Sequence, residues 1–352
     1  MKTILTALFV SAFASTIHAQ TDSTKALTVS GYAEVYYGYD FNRPANHTMD
    51  GFLYNYNRHN EFNLNLGFVK AAYQTDRVRG NIALMAGTYA QYNLAAEPEL
   101  LRHVYEANIG VKLAKDFWLD AGIMPSHIGF ESAVGKDNWT LSRSLLAENS
   151  PYYETGAKLS YTSGKWSFSG LVLNGWQRIR RVDGNQTPAF GWQVQYKPSD
   201  RITLNSSSFI GNDKPDSTRQ MRYFHNFYGI FQLSSKVGLI AGFDSGWQQS
   251  AKGSNDLNFW YSPVAILRYV ITDAFSLAAR AEYYQDKKGV IITAPAPFKV
   301  YGFSINADYK VSQEVLVRLE ARQLTSSEDL FQKNGTYTNT NTSVKTALCI
   351  AL

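Results

Sequence analysis

Apolar and polar positions alternate along most of this chain. In residues 315–322, Val315, Val317, Leu319 and Ala321 occupy one set of positions. Arg318, Glu320 and Arg322 occupy the other. Successive side chains of a strand point to opposite faces, so the spacing predicts a strand with one aliphatic and one charged face. A helix would scatter the same residues around its circumference. Similar alternation runs through 117–124, 275–282 and 301–308, and the chain ends on Val344, Leu348, Ile350 and Leu352 along one face of 342–352. Two segments are less regular: 166–176 has Leu on both faces, and 201–211 has Ser on both.

The alternating segments form a repeated hairpin. Very short polar turns fall at 75–77, 114–116, 162–164, 198–200, 234–236, 272–273 and 311–313. They use Asp, Ser, Gly and Pro, which suit tight turns. Longer loops at 42–58, 93–101, 125–151, 179–188, 212–221, 249–257, 287–297 and 326–341 hold most of the Asp, Asn, Gly and Pro clusters. Seven turns and eight loops connect about 16 strands, the first starting near Leu27.

Such strands fit either a soluble sandwich or a membrane barrel. Three features favour the barrel. The segments run about 10 to 14 residues, whereas soluble strands cluster near 5 or 6. Short and long connections alternate strictly, as at the two rims of an outer-membrane barrel. Aromatic residues gather near segment ends, as in Tyr36, Tyr37, Tyr39 and Phe41, or Tyr283 and Tyr284. Tyr and Trp favour the membrane–water boundary because they are half apolar and half wet. The expected fold is therefore an all-β, transmembrane, antiparallel up-and-down barrel, closed by pairing of the last strand with the first.

Composition narrows the functional classes. The net charge is +5, and Arg178–Arg181 is too short a basic run for a nucleic-acid site. Cys349 is the single cysteine, which rules out an internal disulfide and zinc-type spacing. Lys2, an apolar run over 4–13 and small residues up to Ala19 predict a secretory signal peptide over 1–19, with residues 20–352 as the barrel. No stretch after residue 20 is long and apolar enough for a membrane helix.

A barrel of about 16 strands is too wide to fill with side chains, so its lumen is expected to be aqueous. Glu34, Arg102, Glu106, Asp120, Glu154, Lys158, Arg222, Asp244, Arg280, Glu282, Asp308, Arg318, Glu320 and Arg322 are the expected lumen charges. Opposed charges create a transverse field that favours polar solutes, or they only brace and solvate the wall. The third and longest outer loop, 125–151, carries Glu131, Lys136, Asp137, Arg143 and Glu148. By analogy with general porins these are candidates for a constriction; the other reading is a loop packed at the rim. Helical character is expected around 141–147, with Thr140 as its cap.

The segments 121–132 (AGIMPSHIGFES), 138–144 (NWTLSRS), 150–156 (SPYYETG) and 174–176 (NGW) resemble the β-barrel porin-2 family of Gram-negative outer-membrane proteins. The resemblance implies an outer-membrane barrel and names no substrate. The function expected is a channel for passive diffusion of small polar solutes or ions. Outer-membrane lipid is its surroundings, and a homotrimer is the assembly suggested by general porins of this size. The competing classes are a structural or adhesive barrel, whose outer loops would be larger, and a lipase-like enzyme. There is no G-x-S-x-G, and His47, His59, His103, His127 and His225 are scattered, without metal spacing. His127 and Ser142 share the long loop. No catalytic, cofactor or metal site is expected. Tyr32, Tyr36 and Trp118 on the lumen face would favour sugars, and the Arg residues anions.

Overall fold

The computed structural model describes residues 26–352. The expected signal peptide, residues 1–19, lies outside the described residues. The strands are β1 (Leu27–Asp40), β2 (Glu61–Gln74), β3 (Val78–Ala86), β4 (Val104–Ala114), β5 (Phe117–Pro125) and β6 (Tyr153–Ser163). They continue with β7 (Trp166–Leu173), β8 (Ala189–Ser199), β9 (Ile202–Gly211), β10 (Arg222–Gln232), β11 (Val237–Gln249) and β12 (Leu257–Val270). The last are β13 (Phe275–Asp286), β14 (Phe298–Lys310), β15 (Val315–Ser326), β16 (Phe331–Lys333), β17 (Thr336–Thr338) and β18 (Thr340–Ala351). Sixteen of these, all but the β16–β17 hairpin, form one closed antiparallel barrel. Every expected turn and loop coincides with or abuts an observed one. The barrel strands run from 8 to 14 residues, so β3 and β5 at 9 and β7 at 8 fall below the expected range.

Closure is made by the termini. β18 pairs with β1 from Tyr32↔Ala351 to Asp40↔Ser343, and with β15 on its other edge. Among the described residues no barrel strand is left with an open edge, as a membrane interior requires.

Facing follows the alternation. Leu319 is 51% exposed on the outside, whereas Arg318 and Glu320 are 0% and 1% exposed within. A one-residue slip would put three charges into lipid at roughly 2–4 kcal/mol for each Arg near the midplane, which fixes the register. Aromatic girdles mark both boundaries. On the long-loop side Tyr261, Tyr283 and Tyr301 stand in adjacent strands at 4.5–5.7 Å. On the short-turn side Trp166 stacks on Tyr196 at 4.2 Å.

Two short helices interrupt the long loops: α1 (Thr88–Asn93) and α2 (Leu145–Glu148). The expected cap is corrected. Ser144, not Thr140, accepts the N–H of Ala147, because the helix starts four residues later than expected. Thr140 instead bonds the Ser142 carbonyl.

Candidate functional site

The loop 126–152 crosses the inside of the barrel. It leaves β5 at a buried anchor. His127 Nδ1 meets Glu154 of β6 at 2.9 Å, and its Nε2 meets the Ser208 carbonyl of β9 at 2.9 Å. Burial disfavours charge on His127, but Glu154 and the carbonyl outweigh it and raise the pKa above the usual histidine value. Gln193 and Ser207 donate to the His127 carbonyl. Asn226 of β10 accepts from Gly129 N–H.

The wall is shaped for this crossing. The inward face of β11 carries Gly238, against which Trp139 packs, and Gly242, against which Phe130 packs. A Cβ at either position would overlap the loop aromatic.

The far end of the loop is held by a charged ladder on β13–β15. Arg318 chelates Asp308 through Nε at 2.8 Å and Nη2 at 2.9 Å. Its remaining donors reach the Gly135 carbonyl at 2.5 Å and the Asn138 carbonyl at 2.8 Å. Arg280 bonds the Ser142 carbonyl at 2.6 Å and Glu320 at 3.1 Å. Glu320 accepts from Ser142 N–H at 2.6 Å, and Asn306 from Leu141 N–H at 2.9 Å. Glu282 accepts from Leu145 N–H at 2.6 Å and from Arg322 at 2.7 Å. The wall side chains thus serve as hydrogen-bond partners for a loop whose backbone would otherwise be buried without them.

The opposite wall, β2–β6, has its own pairs. Lys70 meets Glu106 at 2.9 Å. Arg79 grips Asp120 through two nitrogens and lies 4.4 Å from the centre of the Trp118 ring. Lys70 and Arg79 keep a quarter to a third of their side chains exposed, unlike the sealed ladder. Between this wall and the loop lies a cavity of about 350 Å³, lined by Glu106, Glu131, Ser126, Ser132, Tyr105 and Tyr152. The expected sites therefore divide. Arg280, Glu282, Arg318 and Glu320 converge on the loop, Arg322 braces Glu282 from behind, and Glu34 underlies the loop tip, bonded to Asn65 at 3.2 Å. Glu106 and Asp120 stand apart, across the lumen. Lys136 and Asp137 form an exposed pair at 3.2 Å on the short-turn side.

Three expectations are corrected. Arg102 is not on the strand wall. It lies in a 3-10 turn, Glu99–His103, and donates to the carbonyls of Glu97 and Ala95. Arg143 does not face wall charges. It is buried within the loop, donates to the Ser132 and Ala133 carbonyls, and lies 5.1 Å from the Tyr152 ring centre. Glu148 turns to the first long loop, accepting from Tyr54 N–H and Asn55; burial raises its pKa. Glu131 accepts from Ser144 N–H and Oγ, and burial raises its pKa as well. His127 and Ser142 are bonded to different walls and do not meet.

Lys70, Arg79, Asn306 and Gly135 were not singled out by the sequence. Arg79 could have been: Arg79 and Asn81 alternate with Val78, Gly80 and Ile82. The inward glycines of β11 were a second signal.

Comparison with known proteins agrees with this architecture. The fold is similar to the outer-membrane expressed OmpT of Vibrio cholerae, with a TM-score of 0.61, 10% identity, and 95% of this chain and 100% of that one covered. It is similar to an anion-selective porin from Comamonas acidovorans, with a TM-score of 0.60, 8% identity, and 93% and 99% covered. A trimer form of the Vibrio cholerae protein matches at a TM-score of 0.60, with 10% identity and 93% and 100% covered. Among curated proteins no sequence matches the chain. The family model described as "Putative beta-barrel porin-2, OmpL-like" matches residues 26–352, and the chain belongs to that family.

Proposed function

We propose that the protein is an outer-membrane porin, a water-filled channel for passive diffusion of small polar solutes or ions. The observation that carries this is the loop 126–152 lying across the lumen, tied to β13–β15 on one side and leaving a cavity of mixed polar and apolar lining against β4 on the other. A barrel built only as a scaffold has no need to divide its interior in this way. The constriction is formed by Glu131, Glu106 and the loop backbone, with Arg280, Glu282, Arg318 and Glu320 holding the loop in place. The family and the resemblance of the fold to outer-membrane barrels support the location in the outer membrane. The signal peptide over 1–19 is the proposed export signal. The trimer form of a structural neighbour supports a homotrimer.

The protein acts as a channel and not as an enzyme. A Ser–His contact, Ser208 Oγ to His225 Nδ1 at 2.7 Å, lies on the outer face of β9–β10. Among the described residues no carboxylate orients that ring, as a hydrolase would need.

Liposome swelling tests the reading. Vesicles carrying the folded protein swell in isotonic small sugars at a rate that falls as solute size rises. Swelling no faster than in empty vesicles contradicts an open pore.

A further inference from the structure

A cavity at the long-loop mouth and one at the short-turn mouth differ in the charge of their linings. The long-loop mouth holds a cavity of about 510 Å³ with Arg178, Lys214, Arg222 and Lys288 in its lining, against Glu148 and Asp213. Lys214, Lys288 and Arg178 form no ion pair among the described residues, and Arg222 lies 3.8 Å from Asp213. Both carboxyls are pushed up by burial, which weakens their opposition to the cations. The cavity at the short-turn mouth, beside β12–β15, is smaller, about 240 Å³. Its cations, Lys136, Arg268 and Lys310, are outnumbered by Asp137, Asp273, Asp308 and Glu314.

The positive mouth is also pre-organised. The Arg222 guanidinium lies 5.1 Å from the Trp176 ring centre and 5.9 Å from that of Trp260. Two of its nitrogens are held by Gln248 at 2.7–2.9 Å. Its orientation is thus fixed before any solute arrives. Tyr54, Ser250 and Asn258 add neutral hydroxyl and amide groups to the same lining. A volume of about 510 Å³ is ample for a small organic solute.

We propose that the long-loop mouth is a binding subsite for a small hydroxylated organic anion, such as a sugar acid or sugar phosphate, that the channel captures before passage. The four cations meet the anionic group, and the neutral groups meet the hydroxyls. This inference rests on the porin reading, but the binding it predicts is measurable without conduction.

The test uses the folded full barrel and three probes: glucose 6-phosphate, glucose and inorganic phosphate. Trp176 lines the site and Trp260 lies behind Arg222, so intrinsic fluorescence reports occupancy even if no current flows. Single-channel block is read in parallel. Glucose 6-phosphate is expected to bind at least tenfold more tightly than either other probe, and to block only from the long-loop side. The exposed substitutions Lys214→Glu with Lys288→Glu are expected to weaken binding at least tenfold. Arg219→Glu, exposed in the same loop but outside the lining, is expected to leave it unchanged. Glucose binding as tightly as glucose 6-phosphate, or no loss in the double variant, overturns the subsite. Inorganic phosphate matching glucose 6-phosphate overturns the role of the hydroxyls. Binding without any current overturns the porin reading and leaves the subsite standing.

Discussion

Arg318 ties the loop to the wall through two loop carbonyls, and its removal gives a quantitative prediction. The perturbation is Arg318→Ala combined with Asp308→Asn. The second change matters because Asp308 alone would be left as a buried, unpaired charge, at a cost of roughly 3–5 kcal/mol to the whole fold. With both changes, the main loss is the pair of guanidinium bonds to the Gly135 and Asn138 carbonyls, at 2.5 and 2.8 Å. Bonds from a charged donor contribute roughly 1.5–3 kcal/mol each. Water entering behind a withdrawn loop recovers part of that, which leaves about 3 kcal/mol of docking energy lost. At 1.4 kcal/mol per tenfold, the undocked fraction rises on the order of a hundredfold. The backbone ladder of β14 and β15 is untouched, so the barrel still forms. The assay is single-channel recording after a heat-modifiable gel shift confirms folding. Expected are larger conductance steps with frequent transitions between levels. Arg322→Ala is the comparison: Arg322 pairs with Glu282 but donates to no loop carbonyl, so it should alter the current far less. If the Arg318 variant folds and conducts with the step size and noise of the wild type, the loop does not depend on the ladder.

Three further outcomes follow from the same geometry. A methyl group at Gly135 would overlap the Glu34 carboxylate and the Tyr56 hydroxyl, so Gly135→Ala should lift the loop tip and raise conductance without changing the gel shift. Unchanged conductance would show that the tip is loosely seated. Leu319→Arg on the lipid face should cost about 2–4 kcal/mol and lower the yield of heat-modifiable barrel, whereas Leu319→Ile should not; equal yields would contradict the assigned facing. Asp50 accepts the N–H of Gln332 and so holds the β16–β17 hairpin to the first long loop. Burial, with Asp40 nearby, pushes its pKa up to about 6. A raised carboxyl pKa stabilises the docked form fully below 3.8, and that gain is lost as pH rises through about 6. The hairpin should therefore resist protease better at pH 5 than at pH 7.5, and Asp50→Asn should be protected at both; protection independent of pH in the wild type would refute this.

The fold was largely legible in the sequence because a membrane barrel obeys simple rules. Lipid outside and water inside force a two-residue period, and Val317–Arg318–Leu319–Glu320 shows it without help from any partner. Loop lengths then give the strand count. The loop's path was not legible, since it depends on matches between residues more than a hundred positions apart. Ser142 N–H finds Glu320, and the Gly135 carbonyl finds Arg318. Charge type alone misplaced Arg143, whose guanidinium serves the loop's own carbonyls, and Arg102, which serves those of another loop. The glycines at 238 and 242 encode the crossing, but a missing side chain signals room only once its occupant is known.

A channel requires the barrel to be open beside its inward loop. Planar-bilayer conductance of the purified, heat-modifiable protein under a salt gradient tests that directly. Discrete, uniform steps are predicted, with a reversal potential of the sign for anion preference set by the cation-lined cavity at the long-loop mouth. A folded barrel that inserts and gives no steps would contradict the channel and leave a closed, structural barrel in its place.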